Sequence, residues 1–147
     1  VLVETNVQAV VESVLDFLSH RIKKSNVNLI KQFTQNIPTL ISNPDYLQQI
    51  FINIITNGIQ AMPQGGTLTV EISIENNNLC VKISDTGTGI PDDDIKQIFE
   101  PFFSKREGGT GLGLAIVNHL VSLLKGSIKV NSQVGKGTDF IISLPLT

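Results

Sequence analysis

The sequence has only one cysteine, Cys80, so no disulfide can form within the chain. That fits a reducing compartment. There is no apolar run of the roughly 18 residues that a membrane helix needs, and no signal peptide opens the chain. The expectation is a cytoplasmic piece that makes no membrane contact of its own, whether or not its parent is anchored. Positive charge is not in excess either: the net charge is −2, and the only basic run is Arg21, Lys23 and Lys24. A dedicated nucleic-acid binder carries a basic stripe, so no nucleic-acid partner is expected. An opening methionine is also missing, and the chain reads as a piece cut from something longer. What remains is 147 residues, 41% hydrophobic and 16% charged, which suits one globular domain and excludes a disordered chain.

Val7, Val10, Val11, Val14, Phe17, Leu18 and Ile22 recur at helical spacing and predict an amphipathic helix over about 6–24. "VNLIKQF" (27–33) predicts a strand and "TLIS" (39–42) a short second one. Asn43, Pro44 and Asp45 read as a helix start, with Asn43 as cap and Pro44 at the first position. That helix runs to Met62 and stops at the turn Pro63-Gln64-Gly65-Gly66. "TLTVEISI" (67–74) and "LCVKISD" (79–85) alternate as two strands joined at Asn76-Asn77-Asn78. From Asp85 to Gly111 periodicity fades, apart from a short helix after Pro91 with acidic Asp92, Asp93 and Asp94 in its first turn. A loop this long inside a compact domain is usually functional, often a lid. An apolar helix over about 111–125 stops at Gly126, and "SIKVNS" (127–132) and "TDFIISL" (138–144) close the chain as strands. This order predicts an α+β fold, a two-layer α/β sandwich whose mixed, mainly antiparallel sheet is covered on one face by helices. No internal repeat and no second domain are visible.

Inside "FINIITNGIQAM" (51–62), Asn53 and Asn57 stand four residues apart in an apolar row. Burying an unpaired amide costs roughly 1–3 kcal/mol, so both need partners. A helical projection puts Leu47, Ile50, Phe51, Ile54, Ile55, Gly58, Ile59 and Met62 on one stripe, with both asparagines on its shoulder. Two readings stand at this point: a pair bonded to a neighbouring loop, or amides that face a cleft. Three glycine clusters bear on the choice. "SDTGTGI" (84–90) ends a strand in Asp85, which can accept a hydrogen bond from an exocyclic amine, while Gly87 and Gly89 let a flat base slide past. "GGTGLGL" (108–114) stands before a helix, where free backbone N–H groups and the dipole attract phosphate. "GKGTDF" (135–140) opens the last strand. Each alone is an ordinary turn; together, with the asparagine helix, they suit a nucleotide. The usual signatures are absent: there is no G-x-x-x-x-G-K-[ST], no H-R-D and no D-F-G, and Gly109, Gly111 and Gly113 are spaced two and two.

These residues resemble the catalytic ATP-binding domain of sensor histidine kinases, within the wider group that includes DNA gyrase B, Hsp90 and MutL. "NIITNGIQAM" resembles the N box, "DTGTGI" the G1 box, "IFEPFFSK" the F box, "GGTGLGLAIV" the G2 box and "GKGTDFIISLP" the last glycine box. They come in the family's order over about 45–145; with an opening helix over 1–26 and a lid over 86–111, the whole of 1–147 reads as one such domain. The resemblance implies ATP and Mg²⁺ as cofactors. Asn57 would ligate the Mg²⁺ that bridges the phosphates, and Asp85 would accept the adenine amino group, with Gly87 and Gly89 giving the base room. Gly109, Thr110, Gly111, Leu112 and Gly113 would form the loop that meets the phosphates. Thr138 would hold the adenine edge through water, and Phe102 and Phe103, up to Lys105, would move with the lid. Lys105 and Arg106 are either contacts for the γ-phosphate or solvated lid charges.

The implied reaction moves the γ-phosphoryl group to a histidine on a separate dimerisation and phosphoacceptor domain, from which a response regulator receives it. An imidazole is already nucleophilic, so the catalytic domain supplies positioning and charge neutralisation more than a base. Asn53, which with Lys105 is expected among the catalytic residues, is informative here, because the gyrase and Hsp90 class carries a water-activating glutamate at that position, and an amide cannot take its proton. A gyrase-type clamp would need that glutamate and a following transducer domain; a non-catalytic docking module would lose the N-box asparagine or the G1 aspartate, and both are present. Neither His20 nor His119 stands in the family's acceptor pattern, so the acceptor is expected outside this chain. Two departures are visible: Lys125-Gly126 replaces a common glycine pair, and Gly58 replaces the usual alanine after Asn57.

Overall fold

The computed structural model describes residues 1–101, 103 and 113–146. Elements are numbered along the chain: β1 (Val3–Thr5), α1 (Val7–Phe17), α2 (Ser19–Lys24), β2 (Val27–Phe33), β3 (Leu40–Ser42), α3 (Pro44–Gln60), β4 (Gly66–Glu75), β5 (Asn78–Asp85), α4 (Asp92–Ile95), α5 (Gly113–Leu123), β6 (Ser127–Gln133) and β7 (Gly137–Pro145). The start of α3 follows from local chemistry. Asn43 is extended, its side-chain oxygen accepts from the Tyr46 N–H at 3.1 Å, and Pro44 fills a place whose N–H would have no helical partner. Leu47, Ile50, Phe51, Ile54, Ile55 and Ile59 are buried along one stripe of α3. Burying each such side chain contributes about 1.5–3 kcal/mol relative to leaving it exposed.

That stripe belongs to one core with the inward side chains of a five-stranded sheet, ordered β2-β4-β5-β7-β6. Only β2 and β4 run parallel, joined through the crossover that contains α3; the other pairs are antiparallel. Leu68, Val70 and Ile72 on β4, Leu79, Val81 and Ile83 on β5, and Phe140, Ile142 and Leu144 on β7 alternate into the core. On the opposite face Lys82 lies 3.8 Å from both Glu71 and Asp139. α1 and α5 flank α3, and their buried valines join the same core. The expected two-layer, mainly antiparallel α+β arrangement is what forms. At the β4–β5 hairpin Asn76 and Asn77 have φ of 50° and 62°, the paired left-handed conformation of a tight two-residue turn that asparagine tolerates.

The opening segment differs from the single helix expected over 6–24. The helix breaks at Leu18 (φ −93°, ψ 4°) into α1 and α2. The core takes the line Val7, Val11, Val14, Leu18 and Ile22, and Phe17 lies beside it, 72% exposed. An additional strand, β1, pairs antiparallel with β3 as a separate two-stranded sheet. Three residues are too few to show a period, so that strand left no pattern to read. Lys31 on β2 meets Glu12 on α1 at 2.9 Å, and this hydrogen bond holds the lysine pKa above its ordinary value. Both groups are well exposed, so the pair contributes less than about 1 kcal/mol.

Candidate functional site

Strand register brings the candidates together at the end of β5. Leu68 pairs with Asp85, Asp85 with Thr138, and Thr138 with Ser132. Opposite residues of antiparallel strands share a face, with Cβ atoms about 4.5–5.5 Å apart. Leu68, Asp85, Thr138 and Ser132 therefore form one row across β4, β5, β7 and β6, polar over its last three members. Asp85 and Thr138 are buried, with 7% and 4% of their surface exposed.

α3 lies against this row at Gly58. A Cβ there would stand 3.3 Å from Leu68 Cδ1 and 3.5 Å from Asp85 Oδ2. Glycine inside a helix costs roughly 0.5–1 kcal/mol against alanine; the contact with Asp85 is an ordinary van der Waals one, and nothing in the structure requires glycine here. Asn57, the preceding residue, is half-buried on the shoulder of α3. Asn53, one turn back, is also half-buried; its Nδ2 donates to the Gly113 carbonyl at 3.3 Å and its Oδ1 accepts from Gln49 at 3.3 Å. For Asn53 the partner is thus protein, and the bond ties α3 to the start of α5. Among the described residues every buried side-chain nitrogen or oxygen has a hydrogen-bond partner.

The stretch after Asp85 is clamped from two sides. The Gly87 N–H donates to Asp85 Oδ1 at 2.9 Å, and the Thr88 N–H donates to the Ala61 carbonyl, at the end of α3, at 3.1 Å. From the other side the Gly135 N–H reaches the Thr88 carbonyl at 2.8 Å, and the Ile90 N–H reaches Ser132 Oγ at 2.7 Å. The glycines permit these approaches. A Cβ on Gly87 would fall 2.4 Å from the Ala61 carbonyl oxygen, and one on Gly89, where φ is +75°, 2.2 Å from that of Gln133. Residues 86–90, the first part of the expected lid, are therefore bound into the scaffold. Ser132 is the site residue that sequence reasoning missed. The available signal was its place after Ile128 and Val130 on the inward alternation of β6, where a hydroxyl needs a partner.

Phe102, Lys105, Arg106, Gly109, Thr110, Gly111 and Leu112 lie outside the described residues. Gly113 opens α5, and Phe103 packs partly buried against the core. His20 and His119 are both exposed. No described helix is long and apolar enough to cross a membrane.

Comparison with known proteins defines the class. The sequence profile of the family described as histidine kinase-, DNA gyrase B-, and HSP90-like ATPase matches residues 42–147. The chain is 35% identical over 144 residues to sporulation kinase E of Bacillus subtilis (strain 168), covering 97% of this chain and 20% of that protein. It is 39% identical over 117 residues to the sensor histidine kinase ZraS of Escherichia coli (strain K12), covering 78% of this chain and 25% of that protein. Its fold is similar to the crystal structure of full-length ShkA in complex with AMPPNP, with a TM-score of 0.90 and 25% identity over 99% of this chain and 31% of that one. The chain belongs to the histidine kinase-, DNA gyrase B-, and HSP90-like ATPase family. Within that family it is an ATP-binding domain of the sensor histidine kinase type. It spans only 20% and 25% of the length of the two curated relatives named.

Proposed function

We propose that this chain binds Mg-ATP and presents its γ-phosphate to a histidine on a separate dimerisation and phosphoacceptor domain, from which a response regulator is supplied. The observation that carries the reading is the buried row of Asp85 and Thr138, one strand-pair wide, against which α3 packs at Gly58, the residue after Asn57. In this reading Asp85 accepts the adenine amino group and Thr138 holds the base edge through water, with Gly87 and Gly89 lining the base. Asn57 offers a carbonyl to the cation. Gly109, Thr110, Gly111, Leu112 and Gly113 meet the phosphates, Phe102 moves with the lid, and Lys105 approaches the γ-phosphate.

The donor set suits magnesium arriving with its nucleotide. Among the described residues no three His, Cys, Asp or Glu side chains gather as a metal cage. Mg²⁺ characteristically takes one or two protein ligands and completes its shell with waters and phosphate oxygens, a part that the Asn57 carbonyl can fill. When bound, the cation neutralises the phosphate charge that builds during transfer. Asn53, an amide committed to Gly113 and Gln49, positions α3 against α5 and takes no proton, in keeping with transfer to an already nucleophilic imidazole.

The test is calorimetric titration with Mg-ATP. Asp85→Asn keeps an oxygen for the Gly87 N–H, so the turn should persist while the carboxylate is lost. Affinity is expected to fall at least about tenfold, the scale of one charge-assisted hydrogen bond. Folded Asp85→Asn protein that binds as tightly as the parent would remove the adenine assignment.

A further inference from the structure

We propose that Ser132 is a positioning residue: it fixes the direction of the Thr138 hydroxyl, so that the pair Asp85 and Thr138 offers a base acceptors and no donor, and so selects 6-amino over 6-oxo purine nucleotides. The inference rests on the nucleotide reading above and adds to it a residue that touches no nucleotide in that reading.

A serine hydroxyl has one proton to give and two lone pairs to receive with. Ser132 Oγ has three neighbours at hydrogen-bond distance. The Ile90 N–H, 2.7 Å away, can only donate to it. The Gly137 carbonyl, 3.1 Å away, can only accept from it. Either hydroxyl can donate in the 2.7 Å contact with Thr138 Oγ1; with the serine proton assigned to Gly137, the donor is Thr138. Every position on the serine oxygen is then filled, and the single threonine proton is spent on it. Thr138 Oγ1 therefore turns lone pairs, and no proton, toward its other cross-strand neighbour, Asp85. A carboxylate likewise only accepts once ionised. An exocyclic amine finds acceptors at both residues or through a bridging water; a 6-oxo group meets oxygen lone pairs and no donor from this pair.

The backbone reinforces the arrangement. Ile90 ends the clamped stretch that begins at Asp85, and Gly137 packs so closely that a Cβ on it would fall 2.0 Å from the Asp85 carbonyl oxygen. One serine oxygen thus joins the loop after β5 to Gly137 and Thr138 at the start of β7. Removing it frees the Thr138 proton to rotate toward the ligand, where it can serve a 6-oxo group.

The experiment is titration of the 147-residue chain with ATP and with GTP, each with Mg²⁺, for the parent, Ser132→Ala and Thr138→Val. The readout is the ratio of the two affinities, because a loss of scaffold alone weakens both nucleotides together and leaves the ratio in place. The parent is expected to prefer ATP, and each variant to lower that preference by about tenfold, one hydrogen bond's worth. Thr138→Val conserves side-chain shape and decides the matter if Ser132→Ala does not fold, since the effect of Ser132 on selectivity runs through Thr138. A parent that binds ATP but shows no preference, or a folded variant that keeps the parent ratio, overturns this inference alone. A parent that binds neither nucleotide overturns the functional reading as well.

Discussion

At single residues the glycines divide by what surrounds them. Gly87 faces backbone, the carbonyl oxygen and carbon of Ala61 at 2.4 and 2.8 Å from a built Cβ, and backbone cannot swing aside as a side chain can. Gly87→Ala is therefore expected to destabilise the domain by about 1–3 kcal/mol, the range for overpacked sites. A Cβ built on Gly113 meets nothing within 4 Å among the described residues, and Gly113→Ala is expected to cost no stability. Urea unfolding midpoints of the two variants check this; equal midpoints would show that the contact at Ala61 does not require glycine. The sequence let Gly87 and Gly89 be read as room for a base. Their place against Ala61 and Gln133 was not legible, because those neighbours lie in segments remote along the chain. Gly58 differs: its cost was visible in the helix pattern, and its neighbours Asp85 and Leu68 leave room for a Cβ or nearly so.

Among the elements, the end of α5 gives the sharpest contrast within one dipeptide. The Lys125 N–H bonds the Ser122 carbonyl at 3.0 Å and the Gly126 N–H bonds that of Val121 at 3.0 Å, the paired closure of a Schellman cap. The left-handed residue that this cap requires is Lys125, with φ of 60°. Glycine takes that conformation without the Cβ penalty, so Lys125→Gly is expected to stabilise the domain by about 0.5–1 kcal/mol. Gly126 is needed for another reason, since a Cβ would stand 2.5 Å from the Ser143 carbonyl oxygen. Gly126→Ala should lose stability where Lys125→Gly gains it, and thermal or urea melts that move the two variants in the same direction would refute this account of the cap. Caps and long strands were legible because their determinants are local: Asn43-Pro44 for α3, strict alternation for β4 and β5. The break at Leu18 and the strand β1 were not, because their partners, the core and β3, are distant in sequence.

For the whole molecule, the expectation is a phosphoryl donor without its own acceptor. His20 and His119 sit exposed on helices, and neither follows the acceptor pattern. Incubated with γ-labelled ATP and Mg²⁺, the chain is expected to retain no label, and a separately supplied acceptor-helix domain to become labelled at histidine. Stable label on the chain itself would overturn the division of labour between donor and acceptor. Much of this was determined by the sequence alone: the layer order, the buried stripe of α3 and the family the motifs resemble. Hydrophobic period, caps and motif order are written in neighbouring residues, so they can be read one segment at a time. The tertiary structure alone decided that Leu68, Asp85, Thr138 and Ser132 stand in one row, that residues 86–90 are clamped between α3 and the β6–β7 turn, and that Asn53 answers to Gly113. Each of these is a pairing between distant segments, set by strand register and by how closely two backbones can approach, and neither quantity is carried by any one stretch of the chain.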